Sequence, residues 1–386
     1  MPRQREGRRA WLRRLAGAAL VPAAGAVRAQ AGPGVDREAL LIGQSITLAA
    51  GRNSYGVEVQ AGIQTLLDQV NRDGGVHGRR IVLRTLDDEN QGAKAEANAR
   101  RLVDEGVLLL FGSIEGGPST AVMRAAVQRQ VPFFGPIAGS PELRRPHQPL
   151  VFPVRAEHRD EFRALVQHAA SLGLRRVGLF HANSGTGQLH LESVRLVSGE
   201  AKAEVVSAFA FESDITDAQL DAVVRQMVAQ RTEVMLNHGS PAVYARLVQR
   251  AAALGARTRF MAVNSGSSQI AAALGPLAHG MVFAQVVPNP WSGKTGLARD
   301  YQAAFGKAHP GRERSYGSLE GYATARALVA ALELAGPRPT RAGFVRALEG
   351  ADIDLGGMRL SYRPGAHRGS AFADLSMVGR DGRFLQ

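Results

Sequence analysis

Few residues in this sequence are of types that could do chemistry: ten histidines, an acidic run at Asp87-Asp88-Glu89, and small polar stretches rich in Gly and Ser. His181 and His238 each close a strand-like segment, where an imidazole facing a cleft could act as acid or base. No H-E-x-x-H or other metal spacing accompanies them, and no G-x-S-x-G elbow or S-x-x-K pair supplies a nucleophile. A hydrogen-bonded histidine at a strand end is the simpler reading. Asp87 and Asp88 beside Glu89 could hold a metal or form an acid–base pair. Standing just before a helical run, they read better as its N-terminal cap.

The stretch "LLLFGSIEGGPSTA" (108–121) passes from an apolar run through a small-residue turn toward a helix. That is the shape of an anion site, because the first N–H groups of a helix have no partner within it. Its glycines lack the G-x-G-x-x-G spacing, and "SGKTG" (292–296) has Pro288 where a phosphate loop needs its first glycine. Nucleotide binding is therefore not expected. What remains is a recurrence of small polar groups at strand ends. They are Gln44-Ser45, Ser113 to Ser119 and Ala138-Gly139-Ser140, then Asn183 to Thr186, His238-Gly239-Ser240 and Asn264-Ser265. Such groups hydrogen-bond but do little proton transfer at neutral pH, which suits binding better than turnover. No cofactor and no metal is expected.

The elements that must position these groups alternate strand and helix. "ALLIGQSITL" (39–48) reads as a strand, and Val59, Ile63, Leu66, Leu67 and Val70 mark one face of a helix stopped at Gly74-Gly75. Further strands are expected at "RRIVLRTLDDEN", "VLLLFG" and "VPFFGPIAGS", with helices at "KAEANARRLVDEG" and "AVMRAAVQRQ". The rhythm restarts with strands at 175–181, 203–211, 232–239, 259–264 and 280–291 and helices around 187–199, 216–229 and 241–254. Helices follow at 296–307, 318–335 and 340–349, before a β-rich end. The expected fold class is α/β, two Rossmann-like lobes with parallel sheets and a ligand cleft at the strands' carboxyl ends.

A hydrophobic share of 45% and a charged share of 21% fit a globular chain. The absence of cysteine excludes disulfides, a thiolate zinc site and a cysteine nucleophile. Residues 1–29 have a basic start, an apolar middle from Leu15 to Val27 and a small-residue end, which is the pattern of a signal peptide cleaved after Ala29. Its "RRAWLR" (8–13) is similar to a twin-arginine signal, and general export is the alternative. Removing that segment lowers the net charge from +13 to +7. The remaining arginines are scattered without an aromatic block, so no nucleic acid partner is expected. Export without a cysteine for lipidation implies a soluble periplasmic protein.

From Leu41 to Leu385 the chain resembles the periplasmic substrate-binding proteins of ABC importers, of the branched-chain amino-acid (Leu/Ile/Val-binding) type. The resemblance rests on "IGQSITL", "YGVEVQAGIQTLLDQVNRDGGVHGRRIVLRTLDDENQGAKAEANARRLVDE", "VPFFGPIAGSPELR", "VVPNPW", "SLEGYATARALVAALELAG" and "DLGGMRLSYRPGAHRGSAFADLSMVGRDGRF". It implies the type I periplasmic binding protein fold with three crossings, near Phe152–Arg155, Gln285–Pro290 and Ala351–Gly356. Lobe 1 would hold 36–151 and 287–351, and lobe 2 would hold 152–286 and 352–386. The lobes would close over one small ligand, and the monomer would then dock on a membrane permease. By the same resemblance, the ligand carboxylate would meet Gly116, Gly117, Ser119, Ala138, Gly139 and Ser140, with Gln44, Ser45 and Ser113 at the neighbouring strand ends. Thr186 and Ser240 would close from lobe 2, and the acid common in relatives falls near Ser265. A neutral Ser there compensates a buried ammonium poorly. An aromatic or branched organic acid, or an amide, therefore stands level with an amino acid. A periplasmic sensory module, or an α/β enzyme using His181 or His238, is the alternative role.

Overall fold

The computed structural model describes residues 32–385 apart from Arg52, so the expected leader at 1–29 lies outside the described residues. Alternating apolar runs and amphipathic helices build two parallel sheets. The first contains β1 (Ala39–Ile46), β2 (Arg80–Asp87), β3 (Leu109–Phe111), β4 (Phe133–Phe134) and β5 (Val151–Phe152). They lie in the order β2-β1-β3-β4-β5, connected through α1 (Ser54–Arg72), α2 (Gly92–Asp104) and α3 (Gly116–Gln128). After β5 the chain enters α4 (His158–Ser171) and starts a second sheet. Its strands are β6 (Arg176–Ala182), β7 (Glu204–Phe211), β8 (Val234–His238), β9 (Arg259–Ala262) and β10 (Val282–Gln285). The linking helices are α5 (Gly185–Glu200), α6 (Asp217–Ala229), α7 (Pro241–Ala253) and α8 (Ser267–Leu274).

The second sheet runs β10-β9-β8-β6-β7, so each sheet has its first strand between its second and third. Strand order therefore reverses between β1 and β3, and again between β6 and β8. In open α/β sheets that is where a crevice opens beyond the strands' carboxyl ends. Gln44, Ser45 and Ser113 lie at the first reversal, and His181 pairs in register with His238 at the second.

The chain then returns to the first core through α9 (Gly296–Ala308), α10 (Tyr316–Leu334) and α11 (Arg341–Leu348). The α1 and α10 backbones approach closely because each carries a glycine at the contact. A Cβ on Gly62 would lie 1.8 Å from the Ser318 carbonyl oxygen, and one on Gly321 2.0 Å from that of Val59. Around them Val59, Ile63, Leu67, Leu319 and Leu328 are buried in the first core. The small antiparallel sheet of β11 (Asp352–Asp354), β12 (Arg359–Arg363) and β13 (Ala366–Gly369) follows. Finally β14 (Asp374–Val378) and β15 (Phe384–Leu385) extend the second sheet antiparallel to β10 and to each other.

Three expectations are corrected. Residues 352–369, expected in lobe 2, pack on the first core: Ile353, Leu360 and Tyr362 are buried there, and the Tyr362 hydroxyl donates to the Pro153 carbonyl at 2.9 Å. The passage back to the second sheet thus comes after β13 rather than at Ala351–Gly356, and Ser370 N–H donates to Val154 beside the first crossing. The strand expected over 280–291 spans only Val282–Gln285, because the prolines that follow lack the N–H a ladder needs. Helices α4 and α8 had no counterpart in the periodicity.

Candidate functional site

The loop from β3 into α3 begins at Gly112, whose positive φ of 61° turns the chain and leaves its carbonyl to the Gln44 amide at 3.2 Å. Gln44 accepts from Thr85, so its side chain supports the loop from below. The Ser113 and Ser119 hydroxyls bond to each other at 2.8 Å and are fully buried. Glu115, at the N-cap of α3, holds φ 63° and ψ 144°, a conformation that costs a non-glycine residue on the order of 1–3 kcal/mol. Burial pushes its carboxyl above the usual range despite an Asn53 hydrogen bond, with the Asp88 charge adding to the effect. Gly117 is exposed, and a Cβ there would meet nothing within 4 Å.

The second loop, Ala138-Gly139-Ser140, is held by its carbonyls. Arg144 donates to Ala138 and Ser140 at 3.3 Å each, and His158 N–H donates to Gly139 at 3.0 Å. Among the described residues, no hydrogen bond takes the N–H groups of Gly116, Gly117, Gly139 or Ser140 to a backbone carbonyl. The two loops converge: a Cβ on Gly116 would lie 2.6 Å from the Ser140 hydroxyl and 4.0 Å from the Thr186 methyl. Ser140 Oγ is buried without a partner, as is Glu142 Oε2 next to it. Thr186, in the first turn of α5, donates across from the second lobe to Glu142 Oε1 at 2.5 Å.

Other expected residues have structural employment. Ser45 donates to Asp88 at 3.1 Å and accepts from Asn98, and Thr47 donates to the same carboxylate. Neither Asp87 nor Asp88 caps α2, whose N-cap is Gln91. Asp87 instead accepts the N–H groups of Leu48, Ala49 and Ala50, fixing the exit of β1. Ser240 caps α7 by accepting from Val243 N–H, and Ser265 is half-buried before α8. His181 bonds the Ala182 carbonyl, whereas His238 packs against His158 and His190.

Beside Ser265, where the common acid is missing, the structure brings carboxylates from elsewhere. Asn264 N–H donates to Glu161 at 2.7 Å and its amide donates to Glu320 at 2.8 Å. Arg155 pairs with Glu161 and lies 3.5 Å from Glu320, which also accepts from the Tyr55 hydroxyl at 2.7 Å. Arg155, Glu161 and Glu320 are almost fully buried. Burial works against the Glu161 charge, but Arg155 and His158 outweigh it and hold that carboxyl low. For Glu320 burial prevails over Arg155, Tyr55 and Asn264, and pushes the carboxyl up. This network spans α1, α4, α10 and the loop after β9, tying the first sheet's helices to the second sheet. Sequence reasoning missed it, since charges on an amphipathic helix normally face water. The one available signal was "VRAEHRDE", a dense charge run directly after an apolar strand.

Two surface grooves lie away from these loops. One of about 530 Å³ runs along α1, α9 and α10, and one of about 340 Å³ lies at Pro288–Thr295 and Phe372–Leu375. No expected site residue lines either.

A family model described as periplasmic binding protein matches residues 41–383. The chain is 29% identical over 90 residues to the Leu/Ile/Val-binding protein BraC3 of Rhizobium johnstonii, covering 23% of this chain and 24% of that protein. The match thus spans about a quarter of that relative's length. A possible leucine/isoleucine/valine-binding protein from Rhodopirellula baltica superposes with a TM-score of 0.81 at 25% identity, over 91% of this chain and 97% of that one. An extracellular ligand-binding receptor from Verminephrobacter eiseniae shares the fold at a TM-score of 0.79 and 24% identity, over 90% and 99%. With nearly its whole folded length matched and the paired switch points in place, the chain belongs to the periplasmic binding protein family.

Proposed function

We propose that this chain is a periplasmic solute receptor, which captures a small carboxylate or amino-acid-like ligand by lobe closure and delivers it to the permease of an ABC importer. It would be exported by its N-terminal leader, act as a monomer and bind its solute without altering it. The observation that carries the reading is the convergence of Gly116, Gly117, Gly139 and Ser140, whose N–H groups have no backbone acceptor, with Thr186 facing them. Donors at a helix start favour a carboxylate, through the aligned peptide dipoles, by roughly 0.3–2 kcal/mol per charge. The name Leu/Ile/Val-binding protein carried by relatives supports an amino-acid-like ligand. Glu142 Oε2 would supply the counter-charge to an ammonium that Ser265 cannot.

Contacts made only when Thr186 reaches lobe 1 stabilise the closed form, and this difference in affinity drives closure. A thermal-shift screen of amino acids, branched and aromatic organic acids and amides tests the reading. At a hundredfold excess over Kd a true ligand adds about 2.7 kcal/mol of stability. Small-angle scattering should then report a smaller radius with ligand. No stabilisation by any carboxylate in the panel would overturn the ligand class, and an unchanged radius at saturation would overturn closure.

A further inference from the structure

At the strand-order reversal of the second sheet three histidines meet from separate elements: His158 opens α4, His190 lies in the second turn of α5, and His238 ends β8. One ring nitrogen from each falls within 4.8 Å of the others. The His190 and His238 ring centroids are 3.7 Å apart, and His158 stands 5.0 and 5.1 Å from them. His158 and His190 are buried, and His238 is half-buried. The hydrogen bonds around them are incomplete in a telling way. Both nitrogens of His190 and Nδ1 of His238 are buried without a partner. An unpaired buried polar atom costs about 1–3 kcal/mol, so a dry site holding several is unexpected unless something completes it.

We propose that His158, His190 and His238 form a site for a divalent transition-metal ion of the zinc class. Three imidazole donors suit such ions, and three protein ligands leave a fourth position for water or an oxygen of a bound solute. His158 has the supporting contact that metal-bound histidines usually have: its Nδ1 bonds Glu161 Oε1 at 2.8 Å, leaving Nε2 for the ion. Around a tetrahedral zinc the ligand nitrogens lie about 3.3 Å apart, which small inward rotations of these rings would reach. Burial, with the neighbouring histidines adding, holds the His190 and His238 imidazoles well below their usual value. The other charges nearby are arranged for it: Arg145 is paired by both Glu157 oxygens, and Arg155 by Glu161. Regular metal spacing is absent from the sequence because the three ligands come from three elements that only the fold assembles. The ring of His158 also packs against Gly139, where a Cβ would lie 2.6 Å from its Cγ, so the cluster adjoins the proposed ligand loops.

Purified untagged protein, stripped with chelator, is loaded with zinc chloride, passed through gel filtration and assayed for metal, with magnesium chloride as control. The site predicts retention of about one zinc per chain and no magnesium. It also predicts visible ligand-field bands on loading with cobalt(II). His190→Leu and His238→Gln should each lower zinc affinity at least about tenfold. His279→Gln, at a histidine bonded elsewhere to the Val378 carbonyl, should leave it unchanged. Circular dichroism and melting of the metal-free variants establish that they are folded; His238, being half-buried, is the safer of the two. Failure of the wild-type protein to retain zinc would overturn the proposal, as would full retention by folded His190→Leu or His238→Gln. These readouts use no solute, so they stand or fall separately from the receptor reading.

Discussion

Ser140 and Glu142 are where single atoms decide most. Both carry a buried oxygen without a partner, directly beside the N–H groups of the two first-lobe loops. Ser140→Ala is expected to weaken solute binding by about 0.5–1.5 kcal/mol, or up to about 3 if the hydroxyl serves a charged group, as read by titration calorimetry. Ser113→Ala acts differently: it leaves the Ser119 hydroxyl buried and alone, so stability should fall by about 1–3 kcal/mol in denaturant unfolding. Glu320 carries a pH signature. It faces Arg155, Glu161, Tyr55 and Asn264; burial, with the Glu161 charge adding, raises its carboxyl above the ordinary 4.5 despite Arg155, Tyr55 and Asn264. Between 4.5 and that raised value the folded chain holds a proton the unfolded chain has lost, so this group's contribution to stability declines as pH rises. Glu320→Gln mimics the protonated form, and its stability relative to wild type should therefore improve from acid to neutral pH.

Between α1 and α10 the deciding feature is a paired glycine contact rather than a side chain. Gly321→Ala would drive a methyl into the Val59 carbonyl and force the helices apart, at a cost of about 3 kcal/mol measured by urea unfolding. The helices themselves were legible in the sequence: Val59, Ile63, Leu66 and Leu67 spell out the face that α1 buries. So were most of the parallel strands of both sheets, because buried parallel strands read as apolar runs, whereas the two-residue β5 was not. Helix α4 was not, since His158, Arg159, Asp160 and Glu161 at its start look like a solvated loop. Of these, His158 and Glu161 are buried, and Glu161 is paired there by His158 and by Arg155 just before the helix. The small sheet at 352–369 was placed on the wrong side for a related reason: its alternation states that one face is buried, but not against which core. The loops after β3 and β4 were recognisable as loops from Gly, Ser and strand-end position. The partners that use up Ser45 and Ser240, namely Asp88 and the α7 N-terminus, were not.

Across the described residues, the two sheets repeat one strand order around their first strands. Thr186 to Glu142, Asn264 to Glu320 and Gln269 to Ser54 are among the bonds that join elements of one half to those of the other. Thr186→Val removes the first of these and keeps the shape, so it should loosen the solute about tenfold, mainly through faster release. The central claim is that this cleft holds a small carboxylate-bearing solute and returns it intact. Mass spectrometry of the small molecules released on denaturing protein purified from its native compartment tests that most directly. The account predicts one dominant carboxylate-bearing solute, bound near one per chain in wild type, depleted in Ser140→Ala, and recovered unaltered after incubation with the protein. Protein that carries no such solute under native conditions and binds none when supplied, or that converts it to a product, would contradict the account.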